Sequence, residues 1–217
     1  TSWSNTGGAN QDCGYSNCKI TSFTPLPTWF PATQAMPGDP VQWFLDPVMT
    51  NNTCYYAPRG AGQDWIDNGM GCHNPRLDID DITCNPSITN VDDPNFCVPE
   101  NINVDFPPNN TWIRVGVHYY PGTSSYPGAI HPDVKIYCDG ALAGDLGAHG
   151  FYTPEIPVTW DSTNYNYFWV VADVMFKKDQ CTSTCIVQPI YANDQTKLPL
   201  CEPNDGSAFG PPYPPNP

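Results

Sequence analysis

Proline constrains this chain more than any other residue. There are 26 prolines in 217 positions, and each removes a backbone donor and fixes φ near −65°. No helical period of ~10 residues survives between them, which excludes helix bundles and coiled coils. The prolines also crowd the ends. Residues 1–38 are polar, with Gly7-Gly8 and prolines at 25, 27, 31 and 37, and residues 203–217 hold six prolines. Both ends are expected to be extended, with a short strand at Lys19–Thr24 in the first and a polyproline-like strip over 203–217, flanking a folded span over 39–202.

That span has the apolar content to fold. Hydrophobic residues make up 40% of the chain and aromatics 13%, which is above the level of a disordered polymer. No run of ~18 apolar residues exists, so no transmembrane segment is expected. Within the span, alternation and turn residues predict strands at Val41–Leu45, Thr53–Ala57, Leu77–Ile82, Thr111–Tyr120, Val134–Cys138, Ala141–Ala143, Ile156–Trp160, Tyr167–Phe176 and Cys185–Tyr191. In 111–120, Ile113, Val115, Val117 and Tyr119 alternate with Trp112, Arg114, Gly116, His118 and Tyr120, the pattern of a strand with one face on the core. Asp139-Gly140 between two extended runs signals a hairpin. Residues 167–176 are nearly all apolar and read as a central strand. The fold class read from this is all-β, an antiparallel immunoglobulin-like or jelly-roll-like sandwich with disulfide-stapled loops.

Ten cysteines occupy positions 13, 18, 54, 72, 84, 97, 138, 181, 185 and 201. Cys13, Cys18, Cys54, Cys72, Cys84, Cys97, Cys138, Cys181, Cys185 and Cys201 are an even set without C-x-x-C spacing, and His73, His118, His131 and His149 form no H-x-x-x-H pair. They are therefore read as disulfide candidates, up to five bridges, rather than as zinc ligands. A bridge between Cys84 and Cys97 would close the loop between them. The pattern places the protein outside the cell or on its surface. The start at Thr1 fits a mature form after removal of a signal peptide. Two N-x-[ST] sequons, at Asn51 and Asn109, fit the same compartment.

The chain carries 8 basic and 22 acidic residues, a net charge of −14. Such a surface excludes nucleic-acid binding on bulk charge. Nine of the 22 acids fall between Asp64 and Asp105, with Arg76 the one base in that window. Asp78 and Asp80, two apart, would share one face of a strand, as would Asn101, Asn103 and Asp105. Clustered carboxylate and amide oxygens are the ligand type Ca2+ takes; the same residues also cap turns.

The segments Asn74-Pro-Arg-Leu-Asp-Ile-Asp-Asp81, Pro99-Glu-Asn-Ile-Asn-Val-Asp105 and Arg114-Val-Gly-Val-His-Tyr-Tyr120 occur in this order. In that order they resemble the N-P-x-L-D-x-D-D, P-E-N-I and R-V-x-V-H-Y-Y motifs of a β-sandwich, immunoglobulin-like domain family of large exported bacterial surface proteins. Trp43-Phe44, Cys54-Tyr-Tyr-Ala57, Lys135-Ile-Tyr137 and Val171-Ala-Asp-Val174 extend the likeness over roughly 39–191. Relatives often carry a D-x-D-L-H strand where this chain has Gly38-Asp-Pro-Val-Gln-Trp-Phe-Leu-Asp46. The resemblance implies a structural Ca2+ held by Asp78, Asp80, Asp81, Glu100, Asn101 and Asp105.

G-x-S-x-G, H-E-x-x-H and Gly-rich phosphate loops are absent from the sequence, so no catalytic residues are assigned. His118 reads as a hydrogen-bonded sheet histidine. Asp173, inside an apolar strand, requires a partner and is expected to be tied to backbone or to the metal. The function expected is that of an extracellular structural or adhesive protein. Its partners would be copies of itself, in a filament-forming homo-polymer joined through the terminal segments. The alternatives are a calcium-supported glycan-binding module, with Trp65 and Tyr126 as stacking platforms, and an accessory domain of a secreted hydrolase.

Overall fold

The computed structural model describes Cys13, residues 55–58, 63–64, 75–80, 85, 87–90, 93, 96, 100–104, 107–118, 132–147, 167–203 and 210–215. The chain divides into two compact units, Thr1–Pro107 and Pro108–Pro217. Every regular element among the described residues is a strand, with no helix.

In the first unit, β1 (Tyr55–Pro58), β2 (Gln63–Asp64), β3 (Arg76–Asp80) and β4 (Asn101–Asn103) form one sheet in the order β2-β1-β3-β4. β1 pairs antiparallel with β2, and β3 antiparallel with β4. β1 and β3 are parallel, Ala57 facing Ile79 and Pro58 facing Asp80, where the sequence led to purely antiparallel pairing. The connection from 59 to 75 is long enough for the crossover that parallel neighbours require. Pro58 is the last residue of its strand, where its missing N–H disturbs least. Pro75 and Leu77 are buried, while Ile102 is half exposed.

The second unit contains β5 (Thr111–His118), β6 (Val134–Cys138), β7 (Ala141–Leu146), β8 (Tyr167–Lys178), β9 (Ser183–Pro189), β10 (Tyr191–Asn193) and β11 (Leu198–Pro203). β8 is the centre. β5 runs along one edge, while the other edge is shared. β11 pairs with the start of β8 (Leu200 with Val170, Pro203 with Tyr167) and β9 with the remainder (Ala172 with Pro189 through Lys178 with Ser183). At the junction the Ile190 N–H donates to the Val171 carbonyl at 3.0 Å. A strand paired along both edges and covered on both faces reads as a nearly continuous apolar run, and residues 168–175 are all buried, with Asp173 the one charge among them.

The β5–β8 register shifts once. Val115 faces Ala172 and Gly116 faces Val170, leaving Val171 as the extra residue of a β-bulge. The bulge resets the alternation along β8. Phe168 and Val170 consequently share a face with Asp173 and Met175, across from His118, Gly116, Arg114 and Trp112. On the opposite face, Trp169, Val171 and Ala172 form a cluster with Val115, Val117, Val187 and Cys201, and with Val134, Ile136 and Leu146 of the β6–β7 hairpin. The hairpin is therefore a second layer packed on the sheet. Its turn is Asp139-Gly140, with φ of 49° and 77°, the two positive values that a tight hairpin matching strand twist needs. The Cys138–Cys185 disulfide ties the end of β6 to β9, with a Cα–Cα distance of 6.0 Å.

The all-β class expected from the sequence holds. β6 has the bounds expected for it, and β8 runs two residues further. The single strand expected over Cys185–Tyr191 is two, β9 and β10, interrupted at Ile190. β11 was not expected at all, because Pro199 and Pro203 disguise it. The sequence-based strands Val41–Leu45 and Ile156–Trp160 lie outside the described residues.

Candidate functional site

The cation candidates are placed by β3 and β4. Ile79 pairs with Asn101, Leu77 with Ile102 and Arg76 with Asn103. Asp78 and Asp80 flank Ile79 in β3, and Glu100 immediately precedes Asn101. The register therefore brings four of the expected ligand positions onto adjacent strand segments. Glu100 is exposed and Asn101 half buried. Nearby, the buried Asn103 Nδ2 has no hydrogen-bond partner. Asp81 and Asp105 lie outside the described residues, as do Trp65 and Tyr126. Among the described residues no three metal-ligating side chains stand together.

A second constellation lies on the β5–β8 sheet, on the face away from the hairpin. Arg114 of β5 donates from Nε to Asp173 Oδ1 and from Nη2 to Asp173 Oδ2, both at 2.8 Å. The side chains are 11% and 2% exposed respectively. This is the bidentate guanidinium–carboxylate geometry, the strongest form of charge-assisted hydrogen bond. Burial by itself would lower the Arg114 pKa, but hydrogen bonds and charge from Asp173 outweigh it, and the net shift is upward. The expectation that Asp173 is tied to backbone or to a metal is corrected. Its partner is the cation directly opposite it in the ladder.

Residues 210–215 lie back against this face. The Gly210 N–H donates to Glu202 Oε2 of β11 at 2.9 Å. A side chain at position 210 would meet Arg114 Nη1 at 2.9 Å and Val170 Cγ1 at 3.1 Å, and its φ is 73°. Glycine is thus required there both by contact and by backbone conformation. Three residues on, the Arg114 guanidinium stands 4.8 Å from the Tyr213 ring centroid, within cation–π range. The segment therefore touches β11 at Glu202, β8 at Val170 and β5 at Arg114. Farther along the same face, His118 stacks on Phe168 with ring centroids 4.3 Å apart and planes within 8°. Burial lowers its pKa to about 4, so it is neutral at physiological pH.

The cysteines divide. Cys138 and Cys185 are bridged, and Cys13 is also disulfide-bonded. Cys181 and Cys201 are free thiols, the first exposed, the second half buried; burial raises the Cys201 pKa. Neither of these two candidates is bridged in this structure. Cys201 faces Trp169 near the start of β8, whereas Cys181 lies three residues beyond its end at Lys178. At about 3.3 Å per strand residue they are separated by far more than the ~7 Å Cα limit of a disulfide. Cys18, Cys54, Cys72, Cys84 and Cys97 lie outside the described residues.

Sequence reasoning missed Glu202, Gly210 and Tyr213, because no local pattern marks a contact across the face of a sheet. The Arg114–Asp173 pair left a trace. Each is a single charge within a strand otherwise free of charge until its end, and mutual pairing satisfies both. Comparison with protein-family models, with curated proteins and with solved structures returns no match.

Proposed function

We propose that this chain is an extracellular structural or adhesive surface protein that associates with copies of itself and carries a structural Ca2+ on the β3–β4 segments. The observation that carries this reading is the Cys138–Cys185 bond, which clamps the hairpin onto the sheet across a sequence separation of 47. Such a bond persists in an oxidising compartment, and a clamped two-layer β-unit is built for rigidity rather than for closure around a substrate. The likeness to exported bacterial β-sandwich domains points the same way. The β3–β4 register supports the cation, because it puts Asp78, Asp80, Glu100 and Asn101 on neighbouring backbone segments. Carboxylate, amide and backbone oxygens from such segments are what Ca2+ coordinates.

A cation bound only by the folded state stabilises it by mass action. Thermal melting with added Ca2+ and with excess chelator tests the site. A lower melting temperature in chelator is expected, and identical curves would remove calcium from the proposal. Sedimentation and negative-stain microscopy test self-association, which a monomer at every concentration would exclude.

A further inference from the structure

We infer that the face carrying Arg114, Val170, Asp173 and Glu202 is a receptor for a Pro-rich segment, and that its intermolecular occupant is residues 210–215 of a second copy of this chain. The inference deepens the self-association reading above and rests on it. The intramolecular contacts define the recognition chemistry. A glycine N–H is accepted by Glu202 Oε2 at 2.9 Å. A position without a side chain fits against Arg114 and Val170. A tyrosine ring lies 4.8 Å from a guanidinium that is fixed from behind by Asp173 at 2.8 Å. Arg114 is thereby pre-organised and keeps its charge available to an aromatic face. Prolines at 211, 212, 214 and 215 hold the segment extended at little further entropic cost.

Every contact is between this segment and the sheet, so the same segment from another copy can make the same set; this is the condition for exchange of an element between protomers. The intramolecular form has few anchors. Pro211, Pro212, Tyr213 and Pro215 remain exposed. Glu202 and Gly210 are eight residues apart, and a short connection of that kind gives an effective concentration on the order of millimolar. Intermolecular occupancy therefore competes where protomers are held at comparable local concentration, as on a surface or within an assembly.

Sedimentation equilibrium on the full chain tests this, using two variants. Arg114→Met with Asp173→Leu removes the guanidinium without stranding a buried charge. Gly210→Val with Tyr213→Ala disables the segment. The unmodified chain should show a mass rising toward twice the monomer's as concentration approaches about 1 mM. Each variant alone should stay monomeric, and their equimolar mixture should regain association, since one intact receptor then meets one intact segment. Circular dichroism checks folding, and Glu202→Ala replaces the first variant if that variant fails to fold. Undiminished association of the variants overturns the receptor assignment while leaving self-association standing. Failure of the mixture to associate while the unmodified chain does overturns the receptor assignment alone, and no association of the unmodified chain overturns both.

Discussion

The described parts of the two units differ in make-up. In the second, eight consecutive residues of β8, from Phe168 to Met175, are buried, and burial of each large apolar side chain contributes about 1.5–3 kcal/mol. In the first, the described strands have two to five residues, and Leu77 is buried. Six of the ten cysteines lie in the first unit, as do all six proposed cation ligands. Of the four cysteines in the second, two are free thiols. Where the sequence supplies a continuous apolar strand, burial does most of the stabilising. In the first unit the described strands are short, and cross-links such as that of Cys13, with the proposed cation, are the means we propose for offsetting the ordering entropy.

The sharpest way to break this contrast is Asp173→Ala. It leaves the Arg114 guanidinium buried without its carboxylate and should cost about 3–5 kcal/mol, read by urea denaturation with Trp112 and Trp169 fluorescence. The combined Arg114→Met, Asp173→Leu variant should recover most of that loss. If Asp173→Ala costs nothing, burial of this face is not what holds the second unit. Next in size is Cys138→Ser with Cys185→Ser, expected to lower stability by about 2–4 kcal/mol and measured the same way. A loss well above that range would make the cross-link, rather than burial, the main support of the second unit.

An effect confined to acid pH follows from His118. Stacking on Phe168 buries its neutral ring, and the folded-state pKa falls from 6.5 to about 4. Between those values the unfolded chain binds a proton that the folded chain refuses. Stability should therefore decline as pH drops from about 6.5 to about 4, and His118→Gln should flatten that part of the profile. Denaturant midpoints across this range check it; an unchanged slope in the variant would show that other groups carry the acid sensitivity. Smallest is Tyr213→Ala, which removes a cation–π contact at a half-exposed ring and should cost about 0.5–1 kcal/mol. A much larger loss would mean that the Pro-rich segment is integral to the second unit's core rather than a strap across its face.

Much of the fold was legible because alternation and turn chemistry are local. The β6–β7 hairpin follows from Val134 to Cys138, Asp139-Gly140 and the extended run after it. β8 follows from its apolar content. The legible part stops where a residue's role depends on a distant partner. Pro199 and Pro203 argue against a strand when read alone, yet β11 forms because β8 offers an edge and β10 covers the other side. Among the cation candidates, the spacing of Asp78 and Asp80 was visible. Their nearness to Glu100 and Asn101 required the β3–β4 pairing.

By itself, the sequence pointed to the all-β class that the described residues show. Proline forbids long helices, and the strand periods are written in side chains two apart. It also determined that Asp173 needed a partner, since a charge in an apolar strand cannot be left unpaired. The tertiary structure alone decided which partner. A single extra residue, Val171, resets the face on which the following residues of β8 appear, and so brings Asp173 opposite Arg114 on the face that also holds Phe168 and Val170. It decided likewise that Cys138 bonds Cys185, and that Cys181 and Cys201 do not bridge each other, because the length of β8 keeps them apart. It also decided that Gly210 and Tyr213 cross that face. Each of these depends on distance and register between segments remote in the chain, which composition and local periodicity do not encode.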